Sequence, residues 1–232
     1  MTKEKDVRYR HELKYLISAA QMQILKTRIT GLIPKDPYVT ASGGYTIRSL
    51  YFDDRQNRAY YENENGTDPR EKFRIRIYNA STQKIKLECK RKERGKTLKT
   101  SCTLTEEQAR MLMNGQCVPD IASQPPVLRK LTNEMRTRQM KPVVIVEYER
   151  VPYVYRLGNV RVTFDTNIAS SGAVTGFLDG QIPKRQILPA GMHLLEVKFD
   201  EYLPDFIYRA LMLDSLQQTA FSKYYLCRKY SL

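Results

Sequence analysis

Three short stretches set a carboxylate two residues from an ammonium: Glu12-Leu13-Lys14, Glu88-Cys89-Lys90 and Glu196-Val197-Lys198. Each lies in a run that alternates apolar and polar residues, and in a strand residues i and i+2 share a face. The acid and the base therefore stand side by side. The carboxylate can hold a divalent cation while the lysine holds phosphate oxygens, which is what a metal-bound triphosphate requires. One such pair is ordinary surface chemistry; three of them, with Arg74-Ile75-Arg76 on another strand, form a pattern.

The elements that must position these groups read as strands with helices between them. Arg10, Glu12 and Lys14 oppose Leu13, Tyr15 and Ile17; Arg74 and Arg76 oppose Phe73, Ile75 and Ile77. Lys84, Lys86, Glu88 and Lys90 oppose Ile85, Leu87 and Cys89. Arg161, Thr163 and Asp165 oppose Val160, Val162 and Phe164, and Glu196 and Lys198 oppose Leu195, Val197 and Phe199. A single strand of this kind is a sheet with one wet face. Five such strands are harder to leave flat, because like charges on neighbouring strands repel. Closing the sheet with this face inward makes a cationic tunnel suited to a linear polyanion.

Capping boxes at Ser18-Ala19-Ala20-Gln21 and Thr105-Glu106-Glu107-Gln108 predict helices to about Ile33 and to Asn114, the second with Gly115 as its C-cap. Further helices are expected over residues 126–139 and 204–217, and loops at residues 66–70 and 176–183. With no internal repeat and no long linker, the sequence predicts one compact domain over residues 1–232.

Composition narrows the partner. Thirty-nine Lys and Arg against 25 Asp and Glu leave a formal charge of +14, which calls for an anion. The cysteines (Cys89, Cys102, Cys117 and Cys227) form no CxxC, and the histidines are only His11 and His193, so neither a disulfide framework nor a histidine-rich metal centre is expected. No apolar h-region opens the sequence and no run approaches a membrane span, which predicts a soluble, cytoplasmic protein. Gly95-Lys96-Thr97 has the ending of a P-loop, but Lys90 stands where the first glycine is required. Asp53 and Asp54 alternate to opposite faces and make a poor metal pair. His11 shares the face of Leu13 and reads as structural, and most of the tyrosines fall within apolar strand patterns.

The segments at residues 10–17 (RHELKYLI), 49–54 (SLYFDD), 72–78 (KFRIRIY), 87–92 (LECKRK), 146–150 (VEYER), 161–168 (RVTFDTNI), 194–200 (LLEVKFD) and 221–225 (FSKYY), in that order, resemble the VTC-type polyphosphate polymerase branch of the triphosphate tunnel metalloenzymes. The resemblance implies an α+β fold, an antiparallel tunnel barrel of about eight strands with helices packed on its outside. It also implies transfer of the γ-phosphate of ATP onto growing inorganic polyphosphate, assisted by Mn²⁺ or Mg²⁺. Matched position by position, Lys14, Arg74, Arg76, Lys90, Arg150, Arg161, Lys198 and Lys223 correspond to the phosphate-binding bases, and Glu196 to the metal ligand. Lys99 is a weaker match, because Lys96 can serve in its place. Tyr148 shares a face with Arg150 and can reach phosphate through its hydroxyl. Hydrolytic tunnel enzymes carry ExExK in the first strand, whereas here the first acid is replaced by Arg10, which favours the polymerase branch. A tripolyphosphatase or nucleoside triphosphatase of the same fold, and a non-catalytic polyanion-binding module, remain the alternatives; nucleic acid is the less favoured polyanion.

Overall fold

The computed structural model describes residues 9–41 and 43–230. Residues 1–8, the N-terminal stretch without an apolar h-region, and Ser42, Ser231 and Leu232 lie outside the described residues. The chain runs β1 (His11–Ser18), α1 (Ala19–Thr30), β2 (Tyr45–Asp53), α2 (Arg58–Glu64), β3 (Arg70–Tyr78), β4 (Ser81–Glu93), β5 (Lys96–Leu104) and α3 (Glu106–Met113). It continues with α4 (Pro126–Arg138), β6 (Lys141–Tyr155), β7 (Val160–Ser171), β8 (Arg185–Gln186), β9 (Met192–Phe199), α5 (Asp205–Ala210) and α6 (Lys223–Lys229).

Eight strands form one antiparallel path, β1-β9-β7-β6-β2-β3-β4-β5, with the short β8 paired to β7. The path curls until its ends meet. Arg10 N donates to Thr97 O at 3.1 Å and Thr97 N donates to Arg10 O at 3.2 Å. Farther along the seam, Thr219 N donates to Lys14 O at 2.8 Å and Gln218 bridges to Tyr15, so the chain ahead of α6 fills the gap beside β1.

The period-two alternation decides which way the sheet curls. Outward apolar residues on one half (Phe73, Ile75, Ile77, Ile85, Leu87) pack under Ala109, Leu112, Leu128 and Leu131 of α3 and α4. On the other half Tyr15, Ile17, Val162, Phe164, Leu195 and Val197 pack under Leu25 and Ile29 of α1 and Ile207 of α5. Burial of these faces leaves the charged face only the interior to occupy.

One helix does not lie outside. Val144, Val146 and Leu194, inward neighbours of the outward Ile145 and Leu195, pack with Phe221, Tyr224 and Cys227, so α6 sits against the concave face. The barrel interior is thus apolar at the α6 end and cationic beyond it. Buried Asp53 fastens this arrangement. Its Oδ1 accepts from Asp54 N at 2.9 Å and Ala59 N at 2.8 Å, and its Oδ2 accepts from Tyr60 N at 3.1 Å and from the Tyr224 hydroxyl. Asp54 Oδ1 accepts from Gln56 N and Arg58 N at 3.0 Å each, so the pair starts α2 and Asp53 holds α6 to it.

Both capping boxes form. The expected helix over residues 204–217 ends instead at Ala210; Met212 turns left-handed at φ 48° and a 3-10 turn follows. Leu211 and Leu213 are both buried, and residues two apart cannot share one helical face, so the chain uncoils to bury both. Gly95, the glycine of the false P-loop, makes the β4–β5 hairpin turn with Arg94, at φ 75° and 50°, the left-handed pair that tight hairpins need. His193 lies within β9. Asp53→Ala should cost roughly 3 kcal/mol, the loss of several hydrogen bonds to a buried charged acceptor. Urea unfolding checks this, and a loss under about 1 kcal/mol would deny Asp53 the role of clamp.

Candidate active site

The inner face encloses a cavity of 360 Å³ lined by ten basic side chains and two acidic ones. The register of the sheet assembles it. Glu196 on β9 faces Lys14 on β1 and Thr163 on β7; Asp165 faces Arg150 on β6; Glu88 on β4 faces Arg74 on β3.

Glu196 is the centre of the first cluster. Lys223 Nζ lies 2.7 Å from its Oε1, and Lys198 Nζ and Arg150 Nη2 lie 3.0 and 3.1 Å from its Oε2. Arg150 also grips Asp165 through two 2.6 Å bonds, and Lys223 reaches Asp165 at 2.6 Å. The Tyr148 ring supports both bases, 5.2 Å from the Arg150 guanidinium and 4.8 Å from Lys223 Nζ. Burial pushes the Glu196 carboxyl upward, but Lys198, Lys223 and Arg150 outweigh it and hold the group well below the usual carboxylate range. Lys223 is moved up against its burial by Asp165 and Glu196.

A second cluster forms around Glu88, buried on the inward face of β4 and outside the cavity lining. Arg74 Nη2 lies 2.6 Å from it, Lys99 Nζ 3.2 Å and Arg76 Nη1 3.7 Å. Arg74 also donates to the Tyr51 hydroxyl at 2.9 Å, and Arg76 to Ser49 Oγ at 3.3 Å. Burial opposes ionisation of Glu88, and Arg76, Arg74 and Lys99 overcome it. Glu12 joins Lys198 of the first cluster to Lys90, with Lys90 Nζ at 2.7 Å and Lys198 Nζ at 3.1 Å. Burial, helped by Lys14 and Lys198, pulls Lys90 down to about 8 against the attraction of Glu12. Lys14 donates to Phe221 O at 2.7 Å, an accepting carbonyl rather than a carboxylate.

Of the side chains singled out in the sequence, Glu12, Lys14, Arg74, Arg76, Lys90, Tyr148, Arg150, Glu196, Lys198 and Lys223 line this one cavity. Three do not. Glu88 sits behind Arg74 and Arg76, Lys99 reaches Glu88 from β5, and Arg161 is turned to Asp36 and the Tyr45 hydroxyl at 2.6 and 2.7 Å. The lining also contains Tyr51, Asn63, Arg70, Lys72, Lys92 and Ser222, which the sequence analysis did not single out. Alternation could have found three of them: Lys72 and Arg70 precede Arg74 on its own face, and Lys92 follows Lys90. Asn63 and Ser222 arrive from α2 and the start of α6, with no strand pattern to mark them.

Among the described residues no three acidic, histidine or cysteine side chains gather into a metal cluster. The carboxylates that line the cavity are Glu196 and Glu12, each held by lysines. Magnesium is commonly held by one or two carboxylates together with water and substrate phosphates. This donor set fits a divalent cation whose remaining ligands come from phosphate oxygens and water.

The model of the VTC domain family matches residues 9–232. The chain belongs to that family. Solved structures show that the VTC-domain chain shares a fold with distant proteins. A Hippeastrum protein, described as an adenylyl cyclase candidate with a dominant triphosphatase activity, superposes with a TM-score of 0.58 at 12% identity, covering 97% of each chain. A candidate adenylate cyclase from Bacillus halodurans gives 0.52 at 15% identity, over 90% of this chain and 93% of its own. A Pyrococcus horikoshii protein gives 0.50 at 14%, over 96% and 99%. At these identities the likeness is one of fold. A search of curated proteins finds no match to the VTC-domain chain. No helix among its described residues is long and apolar enough to cross a membrane.

Because Glu88 ionises more readily folded than unfolded, its stabilisation is present above the unfolded carboxylate pKa of about 4.3 and is lost as pH falls below it. Glu88→Gln should therefore unfold at lower urea than wild type at pH 7, and the gap should shrink as pH falls from about 5 to about 3. A gap independent of pH would remove the charge from the explanation.

Proposed function

We propose that this protein is a polyphosphate polymerase that transfers the γ-phosphate of ATP onto a growing inorganic polyphosphate chain. The observation that carries this reading is the cavity itself: ten bases around two carboxylates, built on the inner face of a VTC domain. Phosphoryl transfer asks little covalent chemistry of a protein; positioning and charge stabilisation supply most of the acceleration. Arg74, Arg76 and Arg150 are planar forks already fixed by Tyr51, Ser49 and Asp165, so they meet phosphate oxygens without reordering. Lys14, Lys90, Lys198 and Lys223 are point charges lining the same cavity. The attacking terminal phosphate is already anionic and requires no general base, which suits a cavity without histidine.

A divalent cation, when bound, would supply Lewis-acid neutralisation of phosphate charge. Glu196, with Glu12 beside it, is the residue that would hold it. Arg161 and Lys99, outside the cavity lining, take at most a supporting part, by contacting a chain that extends beyond it.

The competing reaction is hydrolysis of the same triphosphate, for which the activity reported for the Hippeastrum protein is the precedent of fold. Arg10 favours the polymerase. It stands where hydrolytic tunnel enzymes carry their first acid, and it is occupied with Asp200 Oδ1 at 2.9 Å and Asn159 O at 2.5 Å. The cavity is one acid short of the hydrolytic pattern.

Incubation with ATP and Mn²⁺ or Mg²⁺ should give a ladder of polyphosphate with matching ADP. Orthophosphate without polymer would replace the polymerase with a triphosphatase, and neither product would leave a binding module. Glu196→Gln should abolish metal-dependent turnover while phosphate binding persists; retained turnover would remove Glu196 as the cation's ligand.

A further inference from the structure

Most cations of the cavity have carboxylate partners among the described residues; Lys14, held by the Phe221 carbonyl, and a group of three at one end do not. Arg70 faces Lys92 and Lys72 faces Lys90 across the β3–β4 pair, so alternation turns Arg70, Lys72 and Lys92 to one side. All three line the cavity, and none has a carboxylate within ion-pair distance among the described residues. Arg70 donates to Thr67 O at 2.8 Å. Lys72 Nζ donates to Asn63 Oδ1 at 2.5 Å and Ser222 Oγ at 3.3 Å, and stands 5.0 Å from the centre of the Tyr224 ring. Lys92 makes no hydrogen bond or ion pair among the described residues. The nearby acids are engaged elsewhere: Asp53 with α2 and Tyr224, Asp68 with Arg94 N at 2.8 Å, and Glu12 with Lys90 and Lys198 at 2.7 and 3.1 Å.

Like charges gathered without acids cost stability. Here α2 and α6 converge to hold Lys72 in place with neutral groups only. Burial, together with Arg70, Lys14 and Lys90, pulls its ammonium well below the usual lysine value, with Asp53 the opposing charge. A bound anion would relieve this repulsion; a salt bridge already made, as at Glu196, would have to be shared or broken first.

We propose that Arg70, Lys72 and Lys92 form a second anion subsite, which binds the outer segment of a phosphoanhydride chain whose inner end lies against Arg74, Arg76 and Arg150. The assignment rests on the cavity being a phosphate site. It divides the labour within that site: the inner, acid-balanced part orients the reacting phosphates, and the outer, uncompensated part supplies affinity for length.

The test is calorimetric titration of wild type, Lys72→Met and Lys92→Met with inorganic pyrophosphate and with long-chain polyphosphate, without nucleotide or metal. Each variant should lose about tenfold in affinity for the long chain, the worth of one charge-assisted contact, and less than about twofold for pyrophosphate. The salt dependence for the long chain should become shallower by about one counterion. Lys92, half-buried, makes no hydrogen bond or ion pair among the described residues, so its variant tests the subsite even if Lys72→Met disturbs α2 and α6. Equal losses for both ligands would reduce the cluster to a general field, and unchanged affinity in both variants would remove it as a subsite. Wild-type protein that binds neither ligand would overturn the cavity reading first, before any variant is compared.

Discussion

Buried positive charge is the constraint on which the rest of this structure depends. Placing Arg and Lys side chains on the concave face of a curled sheet costs desolvation and mutual repulsion together, and an uncompensated buried charge is strongly destabilising. Four acids make the arrangement tenable. Glu12, Glu88, Asp165 and Glu196 each hold two or three bases, so one carboxylate fixes several side chains at once. The same pairs that offset the charge also order it: Arg150 is locked to Asp165 and Arg74 to Glu88 before any ligand arrives. A site built this way is rigid, and rigidity is what electrostatic catalysis requires.

The second dependency is the closure of the barrel. The strand path is sealed by little backbone pairing between Arg10 and Thr97, and the chain beyond α5 completes the wall before α6 enters the interior. Lys223 heads that helix, so the element that fills the apolar end also delivers a base to Glu196. Asp53 ties α6 to α2 through the Tyr224 hydroxyl, and Tyr225 stacks on Tyr60 with centroids 5.0 Å apart. Packing and site chemistry are therefore one structure at this end of the molecule. A change at Asp53, which does not touch the reacting groups, would be felt at Lys223.

Much of this was legible in the sequence because period-two alternation converts directly into faces. The five alternating strands separated inward charge from outward apolar residues, and the structure keeps that division in Arg74 against Ile75 and in Glu196 against Val197. What escaped reading has physical reasons. Arg161 shares the alternation of its neighbours, yet Asp36 and Tyr45 capture it, and a loop residue such as Asp36 leaves no periodic signal. The 204–217 helix failed because two buried leucines two residues apart outweighed helix propensity. The inward α6 was invisible because its seven residues, KYYLCRK, say nothing of which side of a sheet they cover. Lys72 and Lys92 were missed for the opposite reason: the alternation already placed them, and only their lack of acids, a three-dimensional fact, sets them apart.

The most direct measurement is a crystal structure of the protein with inorganic tripolyphosphate. Phosphate density should lie within the cavity, in contact with Arg74, Arg76, Arg150 and Lys198. An empty cavity, or density only on the outer surface beside Lys130 and Arg91, would contradict a phosphate site on the inner face of the barrel.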